Sequence, residues 1–391
     1  MTSKLYDIDS YISEFEATVL SCTKRDDGKF EIELDKTAFF PTSGGQGGDD
    51  GYIGECKIEE TIYKDKEETT IIHISDSCIE PGKTVKCKIN FDVRYRKMQN
   101  HTGEHIISGL VHRKFGFENV GFHLSHGCFT CDYNGYISDE DLELLEKETN
   151  RIIYAQKNIY CYYPSKEELD ALEYRSKKEL NGDVRIVEIQ DTDKCACCAP
   201  HVKNTGEVGI FKITEHMKYK GGVRLTCKCG YDALEDYSWR IKTEKEISIM
   251  LSSPVNEILN ALNDTREQIN QLKKRISDLK HQTSDIYVSA LSEDEKNVCI
   301  FIPDYDMNDL RNLCNDVCEK TKGTCTCFSN GANDTYIFVI VSKDKQASIY
   351  REKICSDLNG KCGGRDNMLT GTLGASIDEI KSYFEKEKYL C

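Results

Sequence analysis

The spacing of apolar side chains changes its period along this chain. Over residues 14–90 the period is two: residues 15–20 and 29–34 alternate apolar and polar, and Asp26-Asp27-Gly28 between them reads as a hairpin turn. A run from Phe39 to Gly48 follows, with glycine at 44, 45, 47 and 48, too many for a regular strand or helix. Such a run predicts close backbone approach or a series of unusual dihedrals. Over residues 91–238 strands and helices mix. The spacing predicts a helix over 98–115, with Ile106, Leu110 and Val111 on one side, and a strand over 122–132. Ser138 with Asp141 is a capping-box pattern that opens a helix carrying Leu142, Leu145, Thr149, Ile152 and Ile153. Residues 184–189 alternate as another strand.

Ser253 as a cap and Pro254 at the first position then start a long helix. Val255, Ile258, Leu262, Thr265, Ile269, Leu272, Ile276 and Leu279 follow at alternating steps of three and four. This is an a/d seam with one polar interruption at Thr265. Two readings are open, a helix packed on its own domain and a coiled-coil dimer arm. Further on, residues 298–302 and 336–341 are buried-type strands, 307–320 a helix, 359–366 a glycine-rich turn and 376–385 a closing helix. The expected fold class is α+β in four parts. These are a β-rich, barrel-like subdomain over 1–90, an α/β core over 91–240, a helical linker over 241–292 and a small α/β domain over 293–391.

Composition narrows the function classes. At 391 residues the chain exceeds one ordinary core, and 39% apolar with 30% charged residues reads as folded. The longest clean apolar run, 336–341, falls far short of the roughly 20 residues of a membrane span. The N-terminus has no signal-peptide core, so a cytoplasmic location is expected. Lys and Arg number 52 against 67 Asp and Glu, a net charge of −15. That balance opposes long-range steering toward nucleic acid but leaves room for a local basic site. The 20 cysteines are too sparse for a disulfide scaffold. Most read as reduced thiols acting as small buried apolar residues, with a few left to bind metal.

The sharpest chemical signal is His101-Thr102-Gly103-Glu104-His105. Two histidines four apart on a helix share one face and reach one metal. Cys197 and His201 form a second pair at the same spacing, and the four together make a tetrahedral zinc set. Zinc peptidases place a glutamate directly after the first histidine. Here Glu104 precedes the second one and points elsewhere around the helix, so a peptidase is disfavoured. Cys195 and Cys198 compete as ligands. Cys128 and Cys131, three apart on a strand, point to opposite faces, while Cys227 and Cys229 share one. For these six, ordinary reduced thiols are the better reading.

These residues, with Cys197-x3-His201-Val202-x-Asn204-Thr205-Gly206 and Phe40-Pro41-Thr42-Ser43-Gly44-Gly45-Gln46, resemble the editing domain of alanyl-tRNA synthetase. Lys220-Gly221-Gly222-Val223-Arg224 resembles its closing basic stretch, and residues 363–368 the DHH-associated domain at the synthetase C-terminus. The whole chain resembles a stand-alone, long-form alanyl-tRNA editing protein. One departure is Cys197-Cys198-Ala199-Pro200-His201 where the family commonly has Cys-Gly-Gly-Thr-His. The resemblance implies a zinc-binding editing core that hydrolyses the ester of serine or glycine on tRNA for alanine, and a homodimer. It implies zinc held by His101, His105, Cys197 and His201, a closed sphere unless one ligand is loose. Thr42 and Gln46 are the candidates for recognition and catalysis, with Ser43, Gly44 and Gly45 beside the terminal adenosine. Arg94, Lys218, Lys220 and Arg224 are candidate tRNA contacts, and Arg96 and Lys97 stand near the acceptor end. The competing class is a non-catalytic zinc-dependent tRNA-binding module or a cysteine-rich redox sensor.

Overall fold

The period-two N-terminal segment closes on itself. The computed structural model describes residues 2–65, 69–125, 127–176, 184–332 and 335–386. Strands β1 (Glu14–Lys24), β2 (Phe30–Leu34), β3 (Gly51–Ile53), β4 (Cys56–Tyr63), β5 (Ile71–Ser75) and β6 (Thr84–Ile89) form an antiparallel barrel in the order β1-β2-β5-β4-β3-β6. Closure leaves no strand edge open, and the inward positions Ala17, Val19, Ile32, Leu34, Ile53, Ile58 and Ile89 fill the interior. The glycine run bridges β2 and β3. It is cinched into a loop where Phe40 N–H donates to Asp49 Oδ2 at 2.7 Å and Asp49 N–H to Phe40 O at 2.9 Å.

The chain then enters α1 (Phe91–Phe115), which ends at Gly116 in the left-handed region at φ 69°. The helix begins a full turn and more before the expected start at Met98. Its first turns carry Asp92, Arg94 and Arg96 rather than an apolar stripe, and Arg94 is nevertheless fully buried. The strand expected over 122–132 is a hairpin of β7 (Asn119–Ser125) and β8 (Cys128–Tyr133), turned at Gly127, φ 74°. Helix α2 (Asp139–Tyr154) starts as read, with Ser138 Oγ accepting from Asp141 N–H at 3.2 Å. Strands β9 (Ile159–Tyr162), β10 (Ile186–Ile189) and β11 (Asp193–Ala196) make a small sheet. Strands β12 (Phe211–Tyr219) and β13 (Gly222–Cys229) join β8 and β7 in the order β12-β13-β8-β7. Met98, Ile106, Ile107 and Val111 of α1 pack there with Phe129, Phe211, Leu225 and, from α2, Leu142 and Leu145. Helix α3 (Gly230–Met250) follows.

Contacts divide the chain into two units, Met1–Glu246 and Ile247–Cys391. In the second, Ser253 does not cap a helix. Pro254 leads into one tight turn, Val255–Glu257, and α4 (Ile258–Ala290) begins after it. The seam is not packed inward: Leu262, Ile269, Leu272, Ile276 and Leu279 are all exposed. Strands β14 (Asn297–Phe301), β15 (Thr324–Asn330), β16 (Tyr336–Ser342), β17 (Gly360–Arg365) and β18 (Met368–Leu373) form one sheet, β14-β15-β16-β18-β17. Helices α5 (Met307–Lys320), α6 (Tyr350–Asp357) and α7 (Ile377–Lys386) complete the unit. The glycine-rich segment expected as a turn is the edge strand β17. A Cβ on Gly364 would stand 2.2 Å from Met368 O, so glycine is what lets the two strands close there. The expected α+β class and N-terminal barrel are both present. Among the described residues no helix is long and apolar enough to cross a membrane.

The barrel carries a pH dependence. His73 is fully buried, with its ring nitrogens 2.9 Å from Thr37 Oγ1 and 2.9 Å from Ile32 O. Burial lowers its pKa to about 4, against an opposing hydrogen bond to Ile32 O. The unfolded chain, with histidine near 6.5, therefore binds the proton that the folded state refuses. Stability is complete above about pH 6.5 and is lost progressively as pH falls toward 4, by about 3 kcal/mol for this group. Urea titrations between pH 7 and pH 4 should give that loss, and His73→Gln should flatten this part of the profile.

Candidate metal centre

Helix α1 supplies two ligands from one face, because positions four apart sit one above the other. The ring centroids of His101 and His105 lie 5.4 Å apart. The loop after β11 brings Cys197 and His201 to the same point. Cys197 Sγ is 3.6 Å from His101 Nε2 and 3.5 Å from His201 Nε2, and the His105 and His201 rings are 4.6 Å apart. One ligand atom from each of the four residues lies within 4.8 Å of all the others.

What orients the rings is a set of partners on their far nitrogens. His101 Nδ1 meets Gln46 Oε1 at 2.8 Å, and His201 Nδ1 meets Thr102 Oγ1 at 3.0 Å. His105 Nδ1 faces Asp193 Oδ2 at 3.7 Å, longer than a hydrogen bond. Arg175 clamps Asp193 at 2.7 and 2.6 Å. Burial works to raise the Asp193 carboxyl pKa, but Arg175 and His105 outweigh it and hold it below the usual range. His101 and His201 thus engage Nδ1 and turn Nε2 toward Cys197 Sγ, the arrangement that fixes tautomer and basicity in metal sites. The donor set, three imidazoles and one thiol, suits zinc. Glu104 is turned to Ser108 Oγ and Asn119 Nδ2, both 2.6 Å away, with its other oxygen 3.9 Å from His105 Nε2.

The glycine loop joins this group through Gln46, which is fully buried. Gly45, at φ 84°, could carry no side chain: a Cβ would stand 2.6 Å from Phe122 O. Gly45 O accepts from Leu124 N–H at 2.8 Å, and the Phe122 ring lies 4.7 Å from that of His101. Lys97, one turn before His101, donates to Gly48 O at 2.6 Å and holds the loop from the other side. Thr42 is exposed, and its Oγ1 accepts from Gly48 N–H at 2.8 Å. Ser43 Oγ lies 3.7 Å from Cys198 Sγ, and Gly44 is exposed at the loop tip.

The expected basic contacts divide. Arg94 cannot meet tRNA phosphate, because its guanidinium has no exposed surface. It binds Asp49 Oδ2 through Nε at 2.8 Å and through Nη2, and donates to Ser10 O and Ala38 O. Lys218 and Lys220 are exposed near the tip of the β12–β13 hairpin, where Lys220 and Gly221 both take positive φ in a two-residue turn. Arg224 pairs with Asp132 at 2.5 and 2.7 Å and lies 3.8 Å over the Tyr219 ring. Sequence reasoning missed Thr102, Asp193, Arg175 and Phe122. Only Thr102, beside a ligand on the helix, carried any local signal.

Residues 184–226, which include Cys197 and His201, match the threonyl and alanyl tRNA synthetase second additional domain. The chain is 28% identical to the alanyl-tRNA editing protein AlaX-L of Pyrococcus horikoshii, over 97% of this chain and 96% of that one. It is 38% identical to AlaX-M of Saccharolobus solfataricus, over 58% of this chain and 98% of the relative. The chain belongs to the alanyl-tRNA editing proteins. A solved C-Ala domain of Aquifex aeolicus alanyl-tRNA synthetase aligns with 24% of this editing-family chain and 93% of its own, at 24% identity and a TM-score of 0.21.

Arg94 in this chain is a stability residue. Arg94→Met leaves the Asp49 carboxylate buried without its cation, which costs about 3–5 kcal/mol. Urea unfolding of the N-terminal unit should register that loss, with Asp49→Asn recovering part of it in the double variant.

Proposed function

We propose that this chain hydrolyses the ester joining serine, or glycine, to tRNA for alanine, and spares the correctly charged alanyl form. The observation that carries the reading is the convergence of three imidazole nitrogens and one thiol beside the glycine loop. The family membership supplies the substrate class. His101, His105, Cys197 and His201 would hold zinc. When bound, the ion supplies Lewis acidity and a fixed point for orienting substrate or water.

The chain's own groups do the rest. Gln46 Oε1 is committed to His101, while its Nε2 is buried without a hydrogen-bond partner. A buried, unspent donor is costly unless a substrate oxygen meets it, which suits an ester carbonyl gathering negative charge. Thr42 Oγ1 accepts from Gly48 N–H and keeps its own proton to donate to the hydroxyl of serine. Alanine offers no group there, so the hydroxyl is the handle for selection. Lys218 and Lys220, exposed near a hairpin tip, supply local positive charge for the tRNA backbone in an otherwise acidic chain. A redox sensor needs low-pKa thiols. Burial pushes Cys87 up to about 12 and Cys227 and Cys229 well above the usual value, and Cys314, which burial raises but hydrogen bonds with Cys325 and Cys327 bring down to about 5, is fully buried where a sensor thiol must be exposed.

Thr42→Val keeps the volume and removes the hydroxyl. Hydrolysis of seryl-tRNA should fall about tenfold or more, the equivalent of about 1–3 kcal/mol, with glycyl-tRNA much less affected. Equal losses on both substrates would leave Thr42 as a loop residue only. Cys197→Ala should abolish deacylation and remove one zinc equivalent by elemental analysis.

The exposed apolar seam of α4 is assigned to self-association. Light scattering at micromolar concentration should give a homodimer, and Leu272→Glu with Ile276→Glu should give a monomer. A wild-type monomer would remove the assignment.

A further inference from the structure

The second unit carries four cysteines in a pattern that the editing reaction does not use, Cys314-x3-Cys318-x6-Cys325-x-Cys327. Helix α5 places Cys314 and Cys318 one turn apart, and both are buried. On β15 the alternation Thr324-Cys325-Thr326-Cys327 puts the two cysteines on one face and the threonines on the other. Both thiols are fully buried, and they share a core with Cys314 and Cys318.

The sulfurs converge. Cys325 Sγ and Cys327 Sγ are 3.7 Å apart, and the ligand atoms of Cys314, Cys325 and Cys327 all lie within 4.8 Å of one another. Zinc–sulfur bonds of about 2.3 Å at tetrahedral angles set sulfur–sulfur edges at about 3.8 Å. The Cys325–Cys327 pair is already at that spacing. The strand neighbours opposite Cys325 and Cys327 are Val298, Ile300, Val339 and Val341, none of which offers a side-chain oxygen or nitrogen. An all-sulfur donor set with no oxygen donor among them selects a soft ion over magnesium or calcium. Without an ion, Cys314 Sγ–H is held by Cys325 O at 3.1 Å and Val339 O at 3.4 Å, contacts that loss of the thiol proton to solvent would release.

We propose that Cys314, Cys325 and Cys327 form a second, structural zinc site that ties α5 to β15, with Cys318, one helical turn on and outside that converged group, turning in from Gly323 O and Val341 O as the fourth ligand. Binding exchanges four thiol protons for one zinc ion: each S–H loses its proton to solvent, each sulfur forms one bond to zinc, and no oxidant takes part. The closed sphere leaves no position for substrate, so the site acts on folding. Lys343, whose Nζ donates to Glu319 O and Thr321 O at the end of α5, lends positive charge beside Cys318.

The test is elemental analysis of the full-length chain, purified in reductant without chelator. About two zinc ions per chain are expected by the arithmetic of two four-ligand sites. Cys197→Ala and the pair Cys325→Ala with Cys327→Ala should each remove one, and the four-cysteine site should keep its ion when Cys197 is gone. Cobalt substitution reads the same site without touching its cysteines. In Cys197→Ala, strong near-ultraviolet sulfur-to-cobalt absorption should persist, because its source is the four-thiolate site. Loss of that absorption in Cys197→Ala, or a wild-type chain whose zinc disappears entirely with Cys197, would overturn the proposal. A wild-type chain with a single ion that survives Cys197→Ala and is lost with Cys325 and Cys327 would uphold this site while removing the first.

Discussion

One buried ion pair sets the geometry on which the candidate site depends. Arg94 projects from α1 two helical turns before His101, and Asp49 closes the glycine loop of the barrel. Both are buried, so each needs the other to offset its lost hydration. The guanidinium also takes the carbonyls of Ser10 and Ala38. Helix, loop and N-terminal segment are thereby held in one register. Gln46, three residues before Asp49, meets His101 as a consequence. The arginine that resembled a phosphate contact in the sequence is what allows the loop and the histidines to share a site.

From that register the site follows by tautomer control. A neutral imidazole has one donor and one acceptor nitrogen, and the partner on Nδ1 decides which way the ring faces. Gln46 and Thr102 make that choice for His101 and His201 by hydrogen bonds, and Asp193 faces the third ring with its charge held by Arg175. The four donor atoms meet because their supports come from the barrel loop, α1 and β11 together.

Much of the fold was legible because it rests on local periods. The barrel strands alternate and α2 carries its cap. Two of the failures share one cause, a polar-looking sequence in a buried place, and two rest on glycine. The first turns of α1 hide Arg94, and β15, whose Cys325 and Cys327 alternate with Thr324 and Thr326 rather than with charged residues, is buried over six of its seven residues. The edge strand β17 reads as a turn because glycine serves both close strand contact and tight turning. Gly127, at positive φ, splits one expected strand into a hairpin, because a single glycine in an otherwise regular run carries no turn signature of its own.

The sequence by itself determined the two candidate donor pairs, since spacing four on one helix face, or within one loop, is a local constraint. It also determined the family, because motif and glycine loop occur together. Tertiary structure alone decided which groups serve those donors. Gln46 lies 55 residues from His101, Asp49 lies 45 from Arg94, and Thr102 lies 99 from His201. It alone decided that Arg94 is structural, and that sulfurs from α5 and β15 meet. Hydrogen bonds and ion pairs depend on distances of a few ångströms between elements. No periodicity along one element encodes the distance to another, so packing of the apolar faces had to bring them together first.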